Sequence, residues 1–468
     1  MNKFQSALIA AALVCGTAGS CEPPAATVPI PPIGVEDPSI SLLVRATAAQ
    51  DQLAQFDTGF GLFTSAMSTA TTTDMQPSAY LDLAHSVARQ GDVSAAAAWR
   101  FQTTSDPADQ ALISRTFEGL HAASVVAATS PAVAPGQQGR RTVVRWVGPR
   151  TAPAAAYLGW SLEHCPYVGR CAADDATSYG DVWWISNASR DTYLGWYHGM
   201  AMVHEGTNDP AIRAAVEADV AAVTDDLLAN GSVIVDPLTG APTTSGTLTA
   251  PFKLAFLSIA HAVTGRADFR TAYLNDSGSW LSLAVTSITA TSRYANVFNI
   301  RLLETSFFHL LRNEPDSNRR STLVGIYNEQ VRPTVRGDHY SLFDLFSVAN
   351  GVDPATPALS NEVAVTLEGI SATPRRFVQP SLPSYPIDPL SVTLAGTVSG
   401  AFQRTAGPLP SAQWCVVENQ WERSTRNPTC ANGVDGIVSN DPLKVSASVD
   451  FLGAYWLARS LEVLDASI

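Results

Sequence analysis

Residues 183–206 read WWISNASRDTYLGWYHGMAMVHEG. Asp191, His198 and Glu205 recur there every seven residues, which places them near one stripe of a helix. Gly195 and Gly199 flank the stripe and permit close approach of a neighbour. Arg190 and Asp191 fall in the first helical turn after Ser189. An acid there complements the helix dipole, and Arg190 has a loop carboxylate as its ordinary partner. The same types also suit acid–base work, in which one carboxyl group donates a proton and a second activates a nucleophile. His204 points off the stripe and has a structural reading. Nine of the twenty-two Trp and Tyr residues lie between Tyr157 and Tyr197. Rings of this kind fill cores and also stack on the apolar faces of sugars.

Two further predicted helix starts carry polar clusters. One holds Arg293, Tyr294, Asn296 and Asn299, followed by Glu304; the other holds Asp338, His339, Tyr340 and Asp344. If these helices alternate with outer ones, their amino ends share one face and surround a cavity. The expected catalytic carboxyls are Asp191 with Asp344 or Asp338. Arg190, Tyr193, His198, Asn296, Asn299 and His339 would bind substrate, with Trp183, Trp184 and Trp196 as platforms. Trp196 has the strongest competing claim to a core position.

The elements that must position these groups are helices. Tyr80, Leu81, Leu83, Ala84 and Val87 have helical spacing, with Gly91 as the expected stop. Leu112, Ile113, Phe117, Leu120 and Val125 make a second helix, ending before Pro131. Ser189 caps a helix to Glu205 with Gly206 as its stop, and Pro210 opens the next, to Leu228. Further helices fit 250–264, 279–290, 296–312, 317–331, 340–350, 358–371 and 446–464. Strand alternation is weak, with Ser232–Val235 one short candidate. The fold class is mainly α. Consecutive hairpins that each bury one face stack as a closed α/α toroid, with an open solenoid as the rival. No motif recurs at a fixed period, and the apolar last helix suits closure better than capping.

Such a chain, with aromatic-rich links on one side, resembles the six-hairpin glycosidase architecture, over residues 78–464. The resemblance implies a carbohydrate-active enzyme that hydrolyses a glycosidic bond; that architecture also hosts lyases, epimerases and isomerases, which use Tyr or His for proton transfer. The phrase SRDTYLGWYHG is similar to segments of exported bacterial lipoproteins to which no activity is attached. No catalytic motif of a characterised family is matched. A non-catalytic glycan- or protein-binding role, or an isomerase or dehydratase acting on a small apolar molecule, stays open beside the hydrolase.

At the amino end, Lys3 precedes an apolar run, Ala7–Val14, too short to span a bilayer. Ala18, Gly19, Ser20 and Cys21 follow and resemble a bacterial lipobox, with Ala18 where Leu is usual. Residues 1–20 then read as a signal peptide, and Cys21 as the lipidated first residue. The stretch 22–38, EPPAATVPIPPIGVEDP, is a stiff spacer. This implies an exported cell-envelope lipoprotein, at the outer membrane or facing the periplasm, or, with ordinary cleavage, a soluble secreted protein. Residues 39–77 form an N-terminal extension, and 78–468 one helical domain with an irregular, proline-rich insertion at 373–445. Cys165 with Cys171 and Cys415 with Cys430 are expected disulfides in an oxidising compartment. Their spacing fits no common zinc pattern, so no metal is expected.

The net charge of −13, with Lys only at positions 3, 253 and 444, offers no basic stripe for nucleic acid. The chain has no GxSxG, since 396–400 reads GTVSG, and no HExxH, since His204-Glu205 is followed by Gly-Thr-Asn. No glycine loop cradles a phosphate, and no cofactor is expected. The partners expected are a glycan or small molecule and, through the lipid, a membrane.

Overall fold

The computed structural model describes residues 40–68, 77–81, 83–150, 171–177, 179–280, 297–335, 340–368, 375–376, 387–394, 398–405, 415–417, 420–422, 444–446, 449–466 and 468. The chain divides into Met1–Ile33 and Gly34–Ile468, and every described residue belongs to the second unit. The signal-peptide and spacer readings, Cys21, Cys165 and Cys430 therefore lie outside the described residues. Cys171 and Cys415 begin short strands, but their side chains also lie outside.

The protein is mainly helical, with small sheets. Its helices are α1 (Leu42–Gln52), α2 (Ser86–Thr104), α3 (Pro107–Thr129), α4 (Arg190–Gly206), α5 (Pro210–Ala229), α6 (Ala250–Thr264) and α7 (Ala267–Trp280). They continue as α8 (Val297–Asn313), α9 (Ser317–Ile326), a π-helical turn (Tyr327–Val331), α10 (Arg332–Val335), α11 (Ser341–Ala349), α12 (Pro357–Glu368) and α13 (Val449–Ser460). No helix among the described residues is long and apolar enough to cross a membrane.

Local chemistry explains the boundaries. Asp106 accepts the Ala108 N–H at 2.9 Å ahead of α3, and Asp209 accepts that of Ala211 at 2.7 Å ahead of α5, each followed by Pro at the first helical position. Ser189 donates its N–H to Thr192 Oγ1 at 3.4 Å, a reciprocal cap for α4. Gly265, with φ +68°, ends α6 in the left-handed conformation.

Two sequence expectations change. Gly91 does not stop a helix; it lies inside α2, and residues 77–81 form a strand instead. A β-carbon on Gly91 would sit 2.6 Å from the Gly195 carbonyl oxygen, so glycine serves here to let α4 approach. The long link 131–188 also contains structure. Strands β3 (Trp146–Pro149), β4 (Cys171–Thr177) and β5 (Gly180–Ile185) pair antiparallel in the order β3–β5–β4. Elsewhere β1 (Ser65–Ser68) bridges β2 (Pro77–Leu81) and β6 (Lys444–Ser446), joining early and late chain in one sheet.

Three apolar clusters hold the helices. The first joins α1, α2, α11 and α13 through Leu42, Ala46, Trp99, Phe346, Phe451 and Trp456. The second joins α2–α6 and the three-stranded sheet through Leu120, Trp146, Trp184, Trp196, Tyr197 and Phe256. The third joins α6, α7, α8 and α9 through Leu254, Tyr273, Phe307 and Leu323. Helix α2 packs on α4, α4 on α6, α6 on α8, α8 on α11, α11 on α13 and α13 on α2. Helix α3 lies against α2 and α4, α5 against α4 and α6, α7 against α6, α9 against α8, and α12 against α11 and α13.

Candidate functional site

The tightest seam runs between α2 and α4. A methyl group on Gly195 would collide with the Ala88 backbone, and one on Gly91 would lie 3.1 Å from His198 Cδ2. Where α8 crosses this seam, a cavity of about 30 Å³ remains, space for a water molecule. Asp92 of α2, Gly195 and His198 of α4, and Arg301 and Thr305 of α8 line it. Asp92 is the seventh residue of α2, and His198 and Thr305 are the ninth of the seventeen residues of α4 and α8, so the cavity lies at mid-helix, beyond the charged first turns.

His198 is buried, and its Nδ1 lies 2.8 Å from His309 Nε2 on α8. One ring must donate and the other accept, so His198 Nε2 is the nitrogen left for the cavity. Burial, helped by Arg301 and Arg312, lowers His198 to about 3. Burial, with His198 and Arg312, also holds His309 well below the usual imidazole range. Both rings are therefore neutral near pH 7 and free to accept a proton, although burial makes His198 a weaker base than an ordinary imidazole.

Asp92 and Arg301 form an ion pair beside this histidine. Burial raises the Asp92 carboxyl, with Arg301 and Arg89 pulling the other way. Burial works against the charge on Arg301, but the facing groups Asp92, Tyr340 and Asp450 outweigh it, so its pKa rises. The arrangement offers a neutral base, a fixed cation and a carboxylate that orients the cation.

A second polar group lies further along α8. Glu304 is fully buried, accepts the Tyr327 hydroxyl at 2.8 Å through Oε2, and leaves Oε1 without a hydrogen-bond partner. Burial pushes its pKa up to about 8, with Arg332 and Tyr327 opposing. Arg332 is engaged elsewhere, donating to Asp344 at 2.6 Å and Asp353 at 2.7 Å. The π turn that supplies Tyr327 is a local irregularity of the type that often marks a functional position.

The sequence-predicted residues distribute unevenly. His198 lines the cavity. Asp191 is half-buried in the first turn of α4, and Arg190 places its guanidinium 5.6 Å from the Phe252 ring centre, with no carboxylate partner among the described residues. Asp344 is held by Arg332, and burial raises its pKa. Tyr193 is buried, with its hydroxyl accepting the Val143 N–H at 3.3 Å. Trp184 and Trp196 are core side chains at 0% exposure, where no sugar reaches them; Trp196 donates to the Leu120 carbonyl at 2.9 Å. Trp183 is half-buried on the sheet. Glu205 pairs with Arg312 at 2.7 Å and His204 with Glu217 at 3.1 Å. Asn296, Asp338 and His339 lie outside the described residues, as does the side chain of Asn299.

Asp92, Arg301, Thr305 and His309 were not singled out by sequence. A partial signal exists, because Arg301, Thr305 and His309 share one face of α8 at spacings of four. No group of three or more His, Cys, Asp or Glu side chains among the described residues could hold a metal ion. Comparison of the chain with protein-family models, with curated proteins and with solved structures finds no match.

Proposed function

We propose that the chain is an exported carbohydrate-active enzyme of the cell envelope, built as an α/α toroid, and that it works by proton transfer at His198. The packing order supports the toroid reading: α2, α4, α6, α8, α11 and α13 follow one another as neighbours and return to α2, with α3, α5, α7, α9 and α12 packed against them. The observation that carries the chemistry is the cavity between α2, α4 and α8, lined by neutral His198 and the Asp92–Arg301 pair.

This set suits removal of a proton from a carbon beside a carboxylate or carbonyl. The C–H proton passes to His198 Nε2, and the electron pair moves into the adjacent carbonyl, whose charge Arg301 stabilises. Loss of a leaving oxygen from the next carbon gives a lyase; return of a proton to the other face gives an epimerase. Hydrolysis by two carboxyls is less well served, because Asp92 is the cavity's lining carboxylate and it is already paired, while Asp344 is tied to Arg332. The cavity has room for water, so a sugar enters only if α2, α4 and α8 part around it.

The test is incubation of the full chain with a panel of acidic and neutral envelope glycans. Ultraviolet absorbance reads unsaturated products, and deuterium uptake from D2O reads epimerisation. His198→Gln should lower the rate by about 10²–10⁴-fold. Mass gain of water with loss on Asp191→Asn, and full rate in His198→Gln, would establish hydrolysis instead. Glycan binding without turnover would establish a binding protein.

A further inference from the structure

A second acid–base group lies away from the cavity, on α3 and α5. His121 Nδ1 is 2.5 Å from Asp219 Oδ2, and Arg141 Nη2 reaches the other oxygen, Oδ1, at 3.2 Å. The Asp219 side chain is 2% exposed, whereas that of His121 is 35% exposed. A buried carboxylate thus grips one ring nitrogen and leaves Nε2 on the solvent side. Arg141 Nη1 is buried and has no hydrogen-bond partner among the described residues, so Arg141 serves to hold Asp219. Aromatic rings stand beside the imidazole: Phe117 at 5.5 Å, Tyr179 at 6.4 Å, and Phe60 against Tyr179 at 5.4 Å. All three are half-buried, so they form an apolar wall at the surface.

We propose that His121 and Asp219, with Arg141 holding Asp219 in place, form a hydrolytic centre for acyl esters that carry an aromatic or branched apolar acyl group. A structural staple between α3 and α5 needs no accessible Nε2; a general base does, with its other nitrogen held by a carboxylate. The acyl group rests on Phe117 and Tyr179. Water gives a proton to His121 Nε2 as its oxygen bonds to the carbonyl carbon. The carbonyl π pair moves to oxygen, and solvent water stabilises the oxyanion. When that pair returns, the bond to the alcohol oxygen breaks and this oxygen takes the proton from Nε2. The net reaction adds one water and yields acid and alcohol, and Asp219 keeps its charge throughout.

The test uses the full chain with p-nitrophenyl acetate, isobutyrate and benzoate, following nitrophenolate release. The wild type should prefer benzoate and isobutyrate over acetate relative to free imidazole, and His121→Gln should lower kcat/KM at least ~50-fold. Asp219→Asn should lower kcat more than it raises KM, because the base loses its orientation. His204→Gln, which changes a histidine elsewhere on α4, should keep the wild-type rate. If His121→Gln hydrolyses these esters as the wild type does, or if the wild type shows no more than the rate and selectivity of free imidazole, the proposal fails. His121 and Asp219 would then be a staple, and loss of thermal stability in Asp219→Asn would be their whole effect. His121→Gln changes a partly exposed side chain, so its folding does not decide the outcome.

Discussion

Replacing Glu304 by Gln isolates the ionisation of a single buried carboxyl. Glu304 is fully buried, and its pKa rises from 4.5 to about 8. Arg332 does not reverse this, because Asp344 and Asp353 already take its guanidinium. With the folded value above the unfolded one, the protonated carboxyl contributes full stability below about pH 4.5, and the contribution is lost progressively up to about pH 8. At 1.36 kcal/mol per unit, retaining the proton at pH 7 costs the fold about 3 kcal/mol relative to acid conditions. Gln keeps an oxygen for the Tyr327 hydroxyl and never ionises, but it buries an amide donor at a cost of roughly 1–3 kcal/mol. Glu304→Gln should therefore be the less stable protein at pH 4.5 and should close or reverse the gap by pH 7. The difference in unfolding free energy should move by about 3 kcal/mol across that window. Urea unfolding followed by tryptophan fluorescence at several pH values reads it. Parallel profiles for the two proteins would refute the reasoning and would mean that Glu304 is ionised and paired with Arg332.

Other consequences follow from the same structure. The His198–His309 pair has lowered folded pKa values, so its stabilisation is present above the usual imidazole range and is lost as pH falls below about 6.5; melting temperature should drop between pH 7 and 4, and His309→Gln should blunt that drop. Gly195→Ala drives a methyl group into the Ala88 backbone and should cost about 1–3 kcal/mol. Gly278→Ala, in α7 with nothing within 4 Å of the added carbon, should instead stabilise by about 0.5–1 kcal/mol in the same thermal melts. Asp344→Asn removes the nearer carboxylate from buried Arg332 and should cost several kcal/mol, of the ~3–5 kcal/mol order found for broken buried pairs; loss of activity with an unchanged melt would restore Asp344 as a catalytic residue.

The helices α4, α5 and α6 were legible to within a residue or so, because their signals are local: Ser189, Asp209-Pro210 and Gly265 each act on the adjoining turn. Gly91 misled for a physical reason. A glycine that ends a helix and one that admits a neighbouring helix look alike without knowledge of Gly195. The β3–β5–β4 sheet was missed because its strands do not alternate cleanly; Trp146, Val147, Trp184 and Ile185 are all buried. The same burial removes Trp184 from the set of sugar platforms. His198 belongs to the stripe with Asp191 and Glu205 that sequence spacing picks out, but of these only His198 lines the cavity, and its partner His309 is 111 residues away. The Asp92–Arg301 pair likewise depends on packing between distant helices, which no local spacing encodes.

Packing and chemistry are coupled at this site through the two glycines. A β-carbon on Gly91 or Gly195 would force α2 and α4 apart, because each would meet backbone of the opposite helix. The close approach removes water from around His198, and burial is the largest cause of its low pKa. Arg301 adds to that effect, yet it is held close by Asp92, a residue of the same α2 that carries Gly91. A wider seam would therefore hydrate the imidazole, raise its proton affinity and loosen the guanidinium together. The lowered proton affinity of His198 is therefore a product of helix spacing as well as of the charged side chains at the cavity.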